Sequence, residues 1–194
     1  IIVFLPRGVV PKGWAVICIL GLIFVPKAKT EFELNVIDVG QGQAIFIKLP
    51  QNNILIDTGG SFDETRFSIG ENVIVPFLMR QGISKLDHVF LTHLDQDHAG
   101  AFEKVAQHIE IEQVYSNEQD ERFSSHQFNY CQAGMEWTFD QVRIQVLAPN
   151  ESRLNSAHLD RNESSCVFYI QVLQANGLKN FLIMGDAGWE SEYA

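Results

Sequence analysis

"LTHLDQDHAG", residues 91–100, places two histidines and two aspartates in six positions: His93, Asp95, Asp97 and His98. It ends the apolar run "LDHVFLT" (86–92) and leads into "AGAFEKVAQHI" (99–109), which has the apolar spacing of a helix. Loops between a buried strand and a helix are where α/β layers gather ligands and catalytic groups. Along an extended loop, alternate side chains point the same way and neighbours diverge. His93 and Asp95 therefore share a direction, as do Asp95 and Asp97, while Asp97 and His98 diverge. One such loop can address two adjacent metal positions. Imidazole suits zinc, iron and manganese, and carboxylate suits harder ions. The competing reading is an acidic loop with two chance histidines, and the flanking strand and helix weigh against it.

Two more apolar runs end in the same manner. "NILIDTGG" (53–60) closes on Asp57 and a glycine pair, and "NFLIMGDAG" (180–188) closes on Asp186. Three polar sites at three strand ends are expected to converge. Asp186 suits a carboxylate bridging two ions. Asp57 suits a hydrogen bond to a ligand histidine that fixes its tautomer. Two ions about 3.5–4 Å apart polarise a phosphoryl group, which makes phosphodiester chemistry one natural use of such a site.

Around these runs the sequence reads as strands with interspersed helices, an α/β layered domain. "FELNVIDVG" (32–40) and "QAIFIKL" (43–49) are strand-like and separated by the turn "GQG". "ENVIVPFLMRQG" (71–82) is helical, with Pro76 near its start or at a kink. "IEQVYS" (111–116) is a strand, 116–134 is polar, and "WTF" (137–139) with "QVRIQVL" (141–147) makes a strand pair. A polar loop at 149–164 precedes the strand "SCVFYIQVL" (165–173).

The 194 residues carry a formal charge of −10, enough chain for one domain with a sizeable core. Residues 1–30 hold Arg7, Lys12, Lys27 and Lys29 and no acid, so 31–194 carries 24 acidic against 10 basic residues, a net of −14. That surface repels nucleic acid unless metal ions or a basic groove intervene. Cys18, Cys131 and Cys166 form no CxxC and are expected to be buried free thiols. Gly13 to Val25 is uncharged and apolar between Lys12 and Lys27. It is short of the ~20 residues of a spanning helix, yet Trp14 and the lysines resemble interface anchors. Residues 1–30 are expected to be a membrane-helix remnant and linker ahead of a domain at 31–194. A secretory signal and a buried core helix are the rival readings.

These motifs resemble the metallo-β-lactamase fold superfamily, whose hallmark is HxHxDH after a strand, a later histidine, a metal-bridging aspartate in "GD" and a last histidine. "THLDQDHAG" supplies His93, Asp97 and His98, and "MGDAG" supplies Asp186. "LNVIDVGQGQAIFIKLPQNNILIDTGG" and "NESSCVFYI" look like one branch, the C-terminal domain of ComEC-type competence proteins, inner-membrane channels for DNA uptake. The resemblance implies an αββα sandwich, truncated at its C-terminus before the last histidine. It implies a metal-dependent nuclease, with Asp97 and His98 catalytic and His93, Asp95, Asp97, His98 and Asp186 around one or two divalent ions. Asn162, Ser164 and Ser165 fall in the substrate region. Single-stranded DNA, the membrane (through residues 1–25) and other competence proteins are the implied partners. The implied location is the bacterial inner membrane, with the domain extracytoplasmic and its oligomeric state open.

The departures shape the expected chemistry. Asp95 replaces the second histidine, "NESS" (162–165) occupies the place of the third-motif histidine, and Gln43 stands where the branch has an acid. Oxygen-rich ligation shifts the preference from zinc towards manganese or magnesium. Two alternatives stay open: a small-molecule metallo-hydrolase of the same fold, and a non-catalytic module that binds or gates single-stranded DNA.

Overall fold

The described residues form ten strands: β1 (Glu33–Val36), β2 (Ile45–Lys48), β3 (Asn53–Ile56), β4 (Lys85–Leu91), β5 (Glu110–Ser116), β6 (Phe128–Tyr130), β7 (Glu136–Phe139), β8 (Val142–Ala148), β9 (Val167–Gln174) and β10 (Gly177–Ile183). The computed structural model describes residues 32–60, 63, 66–123, 126–150, 162–174 and 177–188. Residues Ile1–Thr30 form a unit apart from Glu31–Ala194, and the expected membrane remnant, with Cys18, lies outside the described residues. No helix among those described is long and apolar enough to cross a membrane.

The first six strands lie in chain order in one sheet, and β10-β9-β8-β7 form a second. β1, β2 and β3 pair antiparallel. β3 to β6 pair parallel, which aims the ends of β3, β4 and β5 at one edge. The second sheet is antiparallel throughout.

Sequence pattern records how many faces each sheet buries. In the first sheet Phe46, Leu55, Val89 and Leu91 join a core shared with the helices, while Ile45, Ile47, Ile54, Ile56 and Phe90 face the second sheet. Both faces are covered, so β2, β3 and the Val89–Leu91 end of β4 are largely apolar. In β8, Val142, Ile144 and Val146 enter the inter-sheet core and alternate with Arg143, Gln145 and Leu147. The helical segments within 70–106 pack into the first core, giving helix, sheet and sheet layers, three of the four of an αββα sandwich.

The run at 71–82 becomes a π-type turn (Gly70–Ile74) followed by α1 (Val75–Arg80). Pro76 sits at the start of α1, where its missing N–H is tolerated. The helix expected over 99–109 is interrupted, giving α2 (Gln96–Ala99) and α3 (Phe102–Ala106). Neighbouring loops take its backbone bonds. The Asp97 carbonyl accepts from the Gln43 N–H at 3.3 Å, the His98 carbonyl from the Thr58 N–H at 2.7 Å, and the Ala101 N–H donates to the Gly59 carbonyl at 3.0 Å.

Two expectations need correction. The polar stretch 116–134 contains β6, held parallel to β5 with Phe128 buried. A single strand-length pair of bonds beside β5 is a tertiary gain that local composition does not announce. His126, in the same stretch, packs edge-on against Phe102 at 5.3 Å. Cys131 and Cys166 are not free thiols but a disulfide, with Cα atoms 6.3 Å apart across 35 residues. Cys131 follows β6 and Cys166 precedes β9, so only the packing of the two sheets brings them together.

Candidate metal centre

The ends of β3 and β4 meet on the carboxylate of Asp57, which is fully buried. Its Oδ1 accepts the Thr92 N–H at 2.7 Å. Its Oδ2 accepts the Thr92 hydroxyl at 2.8 Å, the Gln43 side-chain amide at 2.9 Å and His98 Nδ1 at 2.8 Å. Asp57 adopts φ 57°, in the left-handed region, which Asp and Asn tolerate better than bulkier residues. That conformation turns the carboxylate back under the metal loop.

These bonds bear on the protons of both histidines. A carboxylate only accepts, so His98 carries its proton on Nδ1. The Thr92 hydroxyl has one proton, and it is committed to Asp57. Its lone pairs face His93 Nδ1 at 3.2 Å, which favours a proton on that nitrogen as well. The Ser165 hydroxyl meets the same nitrogen at 3.3 Å. His93 Nε2 is thereby left for the open side, while His98 Nε2 faces the Asp186 carboxylate at 3.1 Å. His93 Nε2 is buried and has no hydrogen-bond partner among the described residues. A buried acceptor with nothing to accept is costly, and a cation relieves it.

Ligand atoms of His93, Asp97 and His98 lie within 4.8 Å of one another, and the two imidazole rings are 4.2 Å apart. Asp95 Oδ2 is 3.9 Å from His93 Nε2, and Asp186 Oδ1 is 3.1 Å from His98 Nε2. All five residues named as metal candidates from sequence therefore sit in one cluster, with Asp57 behind it. Burial pulls the His98 imidazole down, but the Asp57 hydrogen bond and the charges of Asp57, Asp186 and Asp97 outweigh it and hold it above the usual histidine value. Burial, with the neighbouring His98, holds His93 below that value despite Asp57, Asp186 and Asp95.

The residues of the substrate region divide. Ser165 is buried against His93. The Ser164 carbonyl and hydroxyl accept from the Asn117 side-chain amide at 3.1 and 3.2 Å. The Asn162 carbonyl accepts from the Ser165 N–H at 3.0 Å. The open face of the centre borders a cleft of about 450 Å³ lined by Val39, Gln41, Gly60, Ile69, Asp95, Gln96 and Asp97.

Sequence reasoning missed Thr92, Asn117 and Arg122. Thr92 stands beside His93 inside the motif, and its small hydroxyl was the available signal. Arg122 donates to the Leu94 carbonyl in the metal loop at 2.8 Å, and nothing in its local sequence marks it. Other basic residues are engaged elsewhere: Lys48 on the Gln81 carbonyl, Arg66 by Asp63, and Arg143 clasping Glu136. Arg161 lies outside the described residues.

A loop of imidazoles and carboxylates at the strand ends of a layered α/β sandwich defines a class, and the chain belongs to it: residues 37–192 match the metallo-beta-lactamase superfamily. The fold of this superfamily is one for divalent metal, and the orphaned His93 Nε2 beside Asp97 and His98 fits that use. Among relatives, the chain is 30% identical over 99% of its length to "Competence protein ComA" of Neisseria gonorrhoeae. It is 30% identical over 93% to "Recombination protein 2" of Haemophilus influenzae, and 37% identical over 50% to "ComE operon protein 3" of Bacillus subtilis. These matches fall in the competence-type branch that "DVGQG" and "NESSCVFYI" resemble. The chain spans 26%, 21% and 14% of those proteins. Among solved structures, the metallo-beta-lactamase SMB-1 aligns with TM-score 0.54 at 15% identity over 77% of this chain and 60% of its own. FEZ-1 from Legionella gormanii aligns with 0.53 at 15% over 80% and 60%. The likeness to these enzymes is one of fold.

Proposed function

We propose that residues 31–194 form a metal-dependent phosphodiesterase domain that cuts DNA during its uptake in natural transformation. The observation that carries this reading is the His93–Asp97–His98 cluster, whose ligand atoms lie within 4.8 Å, on a chain similar to competence proteins. His93, Asp97 and His98 would hold the ion, with Asp95 and Asp186 at the rim. The oxygen-rich donor set favours Mn²⁺, with Mg²⁺ and Zn²⁺ as alternatives, as one or two ions. Bound there, a divalent cation supplies Lewis acidity and an acidified water for hydrolysis of a phosphodiester.

The chain's own residues prepare that chemistry. Asp57 keeps a proton on His98 Nδ1, Thr92 favours one on His93 Nδ1, and the Nε2 atoms are left towards the rim. Asp97 and His98 border the reacting side, where the cleft admits substrate. The metal also offsets locally the net −14 of the domain, which otherwise repels a polyanion. We place the domain outside the cytoplasmic membrane, attached through residues 1–25 and acting with other DNA-uptake proteins on DNA that enters as a single strand.

The replacement of two motif histidines, at Asp95 and at Asn162–Ser165, favours a second reading, a module that binds or gates single-stranded DNA without cutting it. One assay separates the two. The full chain is incubated with single- and double-stranded DNA in Mn²⁺, Mg²⁺, Zn²⁺ or chelator. Cleavage that needs metal and is lost in Asp97→Ala supports the nuclease. Cleavage unchanged in Asp97→Ala sinks the assignment, and retention of DNA without cleavage selects the second reading.

A further inference from the structure

Gln43 occupies the turn between β1 and β2, and it touches two of the loops that build the centre, those after β3 and β4. Its backbone N–H donates to the Asp97 carbonyl at 3.3 Å, and its carbonyl accepts the Gly59 N–H at 2.8 Å. Its side-chain amide donates to Asp57 Oδ2 at 2.9 Å. The approach is close because Gly42, at φ 88°, has no side chain: a Cβ there would stand 1.7 Å from the Asp97 carbonyl oxygen. We propose that Gln43 is a positioning residue for the metal centre, its side-chain amide fixing the Asp57 carboxylate and through it the imidazole of His98.

The chemistry of the amide makes the case. Asp57 Oδ2 faces three donors, from Gln43, Thr92 and His98. The Gln43 and Thr92 bonds restrain the rotation of a carboxylate that must meet His98 Nδ1 in the plane of the ring. A carboxylate at position 43 would put an acceptor where the fully buried Asp57 needs a donor. This chain therefore solves the position with a neutral donor, and the consequence falls on the orientation of a ligand. The proposal rests on the metal-centre reading and not on DNA as substrate.

Side-chain variants test the amide alone, because both backbone bonds survive any substitution. Mn²⁺ affinity of the full chain is measured by calorimetry for wild type, Gln43→Leu and Gln43→Glu, with metal-free thermal unfolding alongside. Both variants are expected to lose at least about tenfold in affinity, the range for partners of a ligand histidine, with Gln43→Glu no better than Gln43→Leu despite its matching shape. Affinities equal to wild type overturn the proposal. So does a loss in either variant that merely follows its metal-free stability. Nuclear magnetic resonance of the wild type needs no variant: the Gln43 side-chain amide is expected to shift when diamagnetic Zn²⁺ binds and His98 settles on it, and an unmoved amide overturns the proposal. If wild type binds Mn²⁺ but leaves DNA intact, the nuclease reading fails and the role of Gln43 is still decided.

Discussion

Asp57 and Asp186 reach opposite nitrogens of one imidazole, yet they live in different surroundings. Asp57 has no exposed surface and accepts four hydrogen bonds, from Thr92 twice, Gln43 and His98. Asp186 is 41% exposed at the rim, where Asp95 is 37% exposed. The floor is satisfied by the protein, and the rim offers carboxylates and the unpartnered Nε2 of His93 to something else. A carboxylate in a full hydrogen-bond shell fixes geometry, while one facing water beside an orphaned Nε2 supplies charge to a cation.

Changes that remove what the cation needs are expected to have the largest effect. Asp97→Ala reduces Mn²⁺-stimulated DNA cleavage to the chelator background, read as initial rates on labelled DNA. Floor changes come next. Asp57→Asn keeps the left-handed conformation but puts an amide against at least one donor. It is expected to lower metal affinity roughly 10–100-fold and stability by about 1–3 kcal/mol, measured by calorimetry and denaturant unfolding. Metal itself tests the rim: free Mn²⁺ at about one hundred times its Kd adds about 2.7 kcal/mol of stability, and chelator removes the gain. A melting temperature indifferent to Mn²⁺ breaks the comparison. Asp186→Asn sharpens it, since its metal-free stability is expected to stay within about 0.5 kcal/mol of wild type while the Mn²⁺ increment shrinks.

The smallest effect lies outside the centre. His88 packs between Phe90, Tyr115, Trp137 and Phe139, and its Nδ1 is buried with no hydrogen-bond partner among the described residues. Burial lowers its imidazole against the pull of Asp87 and Glu112. The unfolded chain then takes up a proton that the folded chain resists, so stability falls as pH drops below the ordinary histidine range. His88→Phe is expected to flatten thermal stability between about pH 7 and pH 5, where a free histidine titrates. An unchanged slope refutes that role.

Much of the centre was legible because its candidates share one short loop or the ends of strands. His93, Asp95, Asp97 and His98 lie within six residues, and Asp57 and Asp186 each close an apolar run. The double-sided burial of β2, β3 and the end of β4 was legible for a similar reason, since consecutive apolar residues in a strand leave no face for water. The use made of Gln43 was not legible. Its contact with Asp57 spans 14 residues, and a glutamine in a glycine turn looks like solvent-facing polarity. Ser165 touches His93 across 72 residues, and Arg122 touches Leu94 across 28.

The sequence by itself determined most of the strands and the donor types at their ends, because periodicity and side-chain chemistry are local properties. Only the tertiary structure decided which carboxylate became floor and which became rim. It also paired Cys131 with Cys166, broke the helix at Gly100 and put the proton of Thr92 on Asp57. Each of these depends on which backbone and side-chain groups meet once the two sheets and the helices have packed, and a hydrogen bond or disulfide is settled by that proximity.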